Sequence, residues 1–75
     1  MKITVKLIGF LMYHAGFGEK EIEVPFSATV EQLLPIINIK KSFAKIVLRN
    51  GKSISFSEPL KDGNRIVISP LFSGG

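Results

Sequence analysis

The chain has 75 residues, 45% hydrophobic and 21% charged, which allows one domain near the lower limit for burying a core and excludes a disordered chain. It has no cysteine and a single histidine, His14, which excludes a disulfide framework and a zinc site built from the usual soft ligands. The net charge of +4 admits an acidic partner, but only Lys40 and Lys41 are adjacent and the aromatic residues do not interleave with the basic ones, so no nucleic-acid partner is expected.

Residues 2–8 alternate, with Ile3, Val5 and Leu7 on one side and Lys2, Thr4 and Lys6 on the other, the period of a half-buried strand. A secretory or spanning segment would instead be an unbroken apolar run, so the chain is expected in the cytoplasm without a membrane partner. Ile8 breaks the alternation by placing an aliphatic side chain on the wet side. Gly9 to Gly18 reads as a connection holding Tyr13 and His14. Glu21 to Val24 alternates again until Pro25 stops it, and the intervening length suits antiparallel pairing.

Thr29-Val30-Glu31-Gln32 has the form of a capping box, and Val30, Leu33, Leu34 and Ile37 fall on one helical stripe. Pro35 removes a backbone hydrogen bond and costs ~3 kcal/mol inside a helix, so the helix should be short, tightened near Pro35, and end around Asn38. Lys45 to Arg49 reads as a strand. Asn50-Gly51 is a strong hairpin signal, because both central residues of that turn need positive φ. Ser53 to Phe56 alternates as the return strand. The turn Asp62-Gly63-Asn64 then leads into a last strand, Arg65 to Ser69, closed by Pro70.

This order predicts an α+β domain over residues 1–69, with one main helix packed on one face of a mixed sheet of four to five strands. Its expected core is Ile3, Val5, Leu7, Ile22, Val24, Leu33, Leu34, Ile37, Ile46, Leu48, Phe56, Leu60, Ile66 and Ile68. Ile8, Val47 and Val67 should then point away from the helix, either as an apolar docking patch or as ordinary surface residues. An extended tail follows over residues 70–75, ending in Gly74-Gly75. That diglycine is either a frayed end or a reactive arm. Leu71 and Phe72 either anchor the arm on a partner or fold back onto the sheet. Glu21 and Glu23 form a solvated pair on one face of a strand, and Tyr13 and His14 are connection residues. No active site is found, and the chain is not expected to be an enzyme.

The opening Met1-Lys2-Ile3-Thr4-Val5-Lys6-Leu7, the helix start Thr29-Val30-Glu31-Gln32-Leu33-Leu34, Asn50-Gly51, Leu60-Lys61-Asp62-Gly63-Asn64-Arg65-Ile66 and the closing Gly74-Gly75 together resemble the ubiquitin-like β-grasp sulfur carriers, the family of the molybdopterin synthase small subunit and the thiamine sulfur carrier. The long first connection, with Ala15-Gly16, leans toward the molybdopterin branch. Pro70-Leu71 stands where the family commonly has Pro-Pro, Asn64 where it often has a second aspartate, and Pro35 is atypical.

The resemblance implies that a ubiquitin-activating-like adenylating enzyme, using ATP, couples the Gly75 carboxylate to AMP. Sulfur from a donor such as a cysteine desulfurase or rhodanese then replaces the adenylate, giving a thiocarboxylate. The acceptor would be the large subunit of molybdopterin synthase or another sulfur-acceptor enzyme. The chain itself binds no cofactor or metal in this reading. Pro70, Leu71, Phe72, Ser73 and Gly74 would be read by the partner's channel, and Ile8, Val47 and Val67 would form the partner surface. Supply of sulfur to thiamine, sulfur amino acid or tRNA thiolation, and conjugation to proteins through Gly75, are the alternatives. Side-chain-free glycines suit a narrow channel. Seven residues from Ser69 to Gly75 span at most ~25 Å, and the absence of cysteine removes the side chain best able to attack an activated terminus.

Overall fold

The computed structural model describes residues 1–70. The elements follow in the order β1 (Lys2–Leu7), α1 (Leu11–Ala15), β2 (Glu19–Glu23), α2 (Val30–Ile36), a 3-10 turn at Lys41–Phe43, β3 (Ile46–Arg49), β4 (Lys52–Ser53) and β5 (Arg65–Ser69). They form a five-stranded sheet in the order β2-β1-β5-β3-β4. β1 and β2 are antiparallel, as their alternation and short connection predict, with Lys2 opposite Glu23 and Lys6 opposite Glu19. β5 enters between β1 and β3, parallel to the first (Val5 opposite Ile66) and antiparallel to the second (Val47 opposite Ile68). The last strand of the sequence is therefore the central strand of the sheet. This is the ubiquitin-like β-grasp arrangement.

α2 begins at the capping box expected from the sequence. The Gln32 N–H donates to Thr29 Oγ1 at 3.3 Å, and the Thr29 N–H donates to Gln32 Oε1 at 2.9 Å. Pro35 stands one residue before the helix ends at Ile36, so it removes only the bond that residue would have made to the Glu31 carbonyl. The chain then turns through Asn38 at φ 62°. The Asn38 N–H returns to the Pro35 carbonyl at 3.2 Å and the Ile39 N–H to the Leu34 carbonyl at 2.9 Å, a Schellman ending with Leu34 and Ile39 both buried. The short, tightened helix is as expected, and its end lies slightly earlier than Asn38.

Asn50 (φ 51°) and Gly51 (φ 86°) make the β3–β4 hairpin. β4 is shorter than the return strand expected over residues 53–56, because the chain is diverted to the start of α2. There the Phe56 and Glu58 carbonyls accept the Glu31 and Val30 N–H groups at 2.9 and 3.2 Å, donors that a first helical turn leaves free. Arg49 clamps this segment, donating to Glu58 Oε1 at 2.7 Å and to the Pro59 carbonyl at 3.0 Å.

The core lies between α2 and one sheet face, where Val30, Leu33, Leu34 and Ile37 meet Ile3, Val5, Leu7, Ile66 and Ile68. Leu11, Ala28, Ile39 and Ala44 also join it, none of them anticipated. Leu11 belongs to α1, a short helix inside the segment read as a plain connection; Gly16 closes it at φ 86°. Ile22 and Phe56 are half-buried and pack on the rim of the core. The parity of β3 is the reverse of the expectation. Val47, expected outside, is buried at 3% exposure opposite Ile68, whereas Ile46 and Leu48 are half-buried on the outer face.

Candidate functional site

Because β5 is central, its end lies between two bonded neighbours. The Ile8 N–H donates to the Ile68 carbonyl at 3.0 Å, and the Lys45 N–H to the Ser69 carbonyl at 3.0 Å. Pro70 is buried, and its Cγ lies 3.5 Å from where a Cβ on Gly9 would stand. Gly9 itself adopts φ 62°, a conformation that favours glycine. The end of β5 and Pro70 thus stand between Gly9, just past the end of β1, and Lys45, just before β3. The remaining predicted site residues, Leu71, Phe72, Ser73, Gly74 and Gly75, lie outside the described residues.

The outer sheet face around Pro70 is divided by charge. Toward the β2 edge, Glu19, Glu21 and Glu23 face Lys6, Thr4 and Lys2 across the strand pair. Arg65 reaches past β1 to Glu19 at 3.1 Å. That hydrogen bond and the guanidinium charge hold the Glu19 carboxyl below the ordinary glutamate range. Glu21 and Glu23 are solvated as expected, and the lysine that Glu21 approaches is Lys2, at 3.9 Å.

Toward β3 the same face becomes apolar, with Val67 opposite Leu48 and Ser69 opposite Ile46, and Ile8 at 38% exposure beyond the end of β1. The predicted partner surface of Ile8, Val47 and Val67 is therefore corrected: Ile8 and Val67 face outward, Val47 does not, and Ile46 and Leu48 take its place. The physical reason is register. Ile46-Val47-Leu48 is a continuous aliphatic run, so its own pattern does not say which side faces the helix.

Tyr13 and His14 lie on α1, which begins two residues after Gly9. The His14 ring packs against Phe10 and Phe43 at centroid distances of 5.5 and 5.3 Å, and Phe10 meets Phe43 edge-on at 5.6 Å. The Asn38 side chain donates to the His14 carbonyl at 3.3 Å. This cluster ties α1 to the turn before β3, and the sequence reading missed it because Phe10 and Phe43 are far apart in the chain. Among the described residues no group of three His, Cys, Asp or Glu side chains is gathered, and no helix is long and apolar enough to cross a membrane.

The model of the ThiS family matches residues 5–75. The chain belongs to the ThiS family. This is a family of β-grasp sulfur carriers, and with the modifier proteins that share the fold its members are small carriers or modifiers rather than catalysts. Among solved structures, the putative molybdopterin converting factor subunit 1 from Pyrococcus furiosus is 28% identical with a TM-score of 0.78, covering 96% of this chain and 99% of that one. SAMP1 from Haloferax volcanii, a small archaeal modifier protein, is 25% identical with a TM-score of 0.75, covering 100% of both chains. A complex of subunits 1 and 2 of the molybdopterin-converting factor from Helicobacter pylori matches at 22% identity and a TM-score of 0.64, covering 100% of both chains; at that identity the likeness is one of fold. No curated protein matches the sequence.

Proposed function

We propose that this ThiS-family chain carries sulfur as a thiocarboxylate on Gly75 and delivers it in molybdopterin biosynthesis. An adenylating enzyme activates the Gly75 carboxylate with ATP, releasing pyrophosphate. A sulfur donor then displaces AMP, and the thiocarboxylate enters the active site of a larger acceptor subunit. The chain acts as co-substrate and donor, in the cytoplasm, and contributes no catalytic side chain.

The observation that carries this reading is the position of the tail root. The Ser69 carbonyl, at the end of the central strand, sits beside the apolar outer field of Ile8, Ile46, Leu48 and Val67. A partner bound on that field stands next to the arm it must thread. The choice of molybdopterin as destination is supported by the 28% identity to the Pyrococcus furiosus protein over nearly its whole length.

The test is incubation with ATP, an adenylating enzyme of the source organism and a sulfur source. The product should be retarded on a mercury-containing gel and should convert a pterin precursor when the acceptor subunit is added. Intact mass alone is ambiguous, since exchange of oxygen for sulfur nearly equals oxidation of Met1 or Met12. A second reading, conjugation through Gly75 to lysines of other proteins, is favoured by the full-length likeness to SAMP1. An isopeptide-linked ladder without thiocarboxylate formation would select it.

A further inference from the structure

Gly75 is the fifth residue after Pro70, so it reaches at most about 18 Å from Pro70 even when fully extended. If Gly75 is the reactive acyl group, as proposed above and as this inference requires, the enzyme receiving it must rest on the surface around Pro70. One part of that surface is the aliphatic field. The other is an aromatic shoulder raised by α1 and the 3-10 turn, which the sulfur-carrier reading leaves unused.

On this shoulder Tyr13 is 85% exposed and Phe10 44% exposed. Helical spacing puts Phe10, Tyr13 and His14 on one side of α1. The shoulder is held in place before any partner arrives. Phe10 meets both His14 and Phe43 edge to face, the His14 and Phe43 rings lie tilted at 30° to each other, and Leu11 is fully buried. Behind, the Met12 sulfur approaches Gly18 so closely that a Cβ there would stand 3.2 Å from it. Rigid aromatic side chains lose little entropy on docking and are enriched among the residues that dominate interfaces. Lysines border it, Lys6 across from Val67, Lys45 just before β3 and Lys40 at the start of the turn, while Glu31, the acidic group at the turn, is paired with Lys41 at 3.3 Å. Glu19, across from Lys6, is already engaged by Arg65.

We infer that the shoulder formed by Phe10, Tyr13 and Phe43 is a second docking surface for the enzyme that adenylates Gly75, complementary to an apolar, acid-bordered ledge beside that enzyme's tail channel. Phe26 supplies an internal control. It is exposed to nearly the same degree as Tyr13, at 82%, but follows the end of β2 that pairs with the start of β1. It therefore lies at the pole opposite Pro70.

The experiment measures ATP–pyrophosphate exchange by an adenylating enzyme of the source organism, with the carrier concentration varied. Tyr13→Ala and Phe10→Ala should each raise KM for the carrier about tenfold or more with kcat retained. Phe26→Ala should stay within about twofold of the unmodified chain. Tyr13 is exposed enough that its variant keeps the fold, which a circular dichroism melt verifies. If the wild-type chain is adenylated and both shoulder variants behave like Phe26→Ala, the docking inference is wrong and the carrier reading stands. Absence of any exchange with the wild-type chain, when the same enzyme activates another carrier, overturns the carrier reading and this inference together.

Discussion

The reversed parity of β3 is tested most directly by making one substitution on each face of the sheet. Val47→Thr and Val67→Thr change the same atoms, replacing a methyl by a hydroxyl in two strand residues of equal shape and similar strand propensity. Val47 is 3% exposed and faces Ile68 in the core. Burying a hydroxyl there without a partner costs about 1–3 kcal/mol. In a domain of this size each kcal/mol lowers Tm by roughly 4–8 °C, so a mid-range loss of about 2 kcal/mol corresponds to about 8–16 °C. Val67 is half-buried on the outer face, its hydroxyl can reach water, and its change should stay within about 0.5 kcal/mol. Far-UV circular dichroism melts and urea titrations, with unchanged m-values, measure both. A loss at Val47 as small as that at Val67 would refute the burial of Val47 opposite Ile68 and mean that β3 is shifted by one residue.

Removing the capping hydroxyl by Thr29→Ala should cost about 1 kcal/mol, visible as a Tm decrease of roughly 4–8 °C. Arg49→Met releases the Glu58 carboxylate and the Pro59 carbonyl, so amide exchange should accelerate at Val30 and Glu31, whose N–H groups bond the clamped segment, with little change in β1. In a carboxyl NMR titration, Glu19 should show a midpoint below the ordinary glutamate range, returning toward it in Arg65→Gln. Because the folded-state value is the lower one, the associated stabilisation is complete above the unfolded value and is lost as pH falls through the folded midpoint. Deleting Gly74-Gly75 should abolish thiocarboxylate formation while leaving the melting temperature unchanged.

The parts of the fold that carry local chemistry were legible in the sequence. β1 and β2 alternate cleanly, Thr29 and Gln32 announce the start of α2, and Asn50-Gly51 and Asp62-Gly63 mark turns that the structure places where expected. Where the pattern was silent, the reading failed. Three consecutive aliphatics at 46–48 fit either face, and only the ladder with β5 fixes which one is buried. α1 has no polar cap, since Phe10 occupies that position without a side-chain hydrogen bond, so its only local signals were Gly16 and the spacing of Leu11 and Ala15. Phe43 is brought to Phe10 by the return of the chain after α2, a relation with no trace in local sequence. The candidate site shows the same division: the tail is an expectation drawn from Gly74-Gly75, which lie outside the described residues, and the surface around Pro70 required the topology.

The placement of β5 at the middle of the sheet has a mechanical consequence. A pull on the chain beyond Pro70 is transmitted to a strand bonded along both sides, parallel to β1 and antiparallel to β3. Such a load shears many backbone bonds at once, whereas an edge strand would unzip them singly. An enzyme drawing the C-terminus into a tight channel would therefore be hauling on a strand held on both sides, and the domain would hold its shape under that tension.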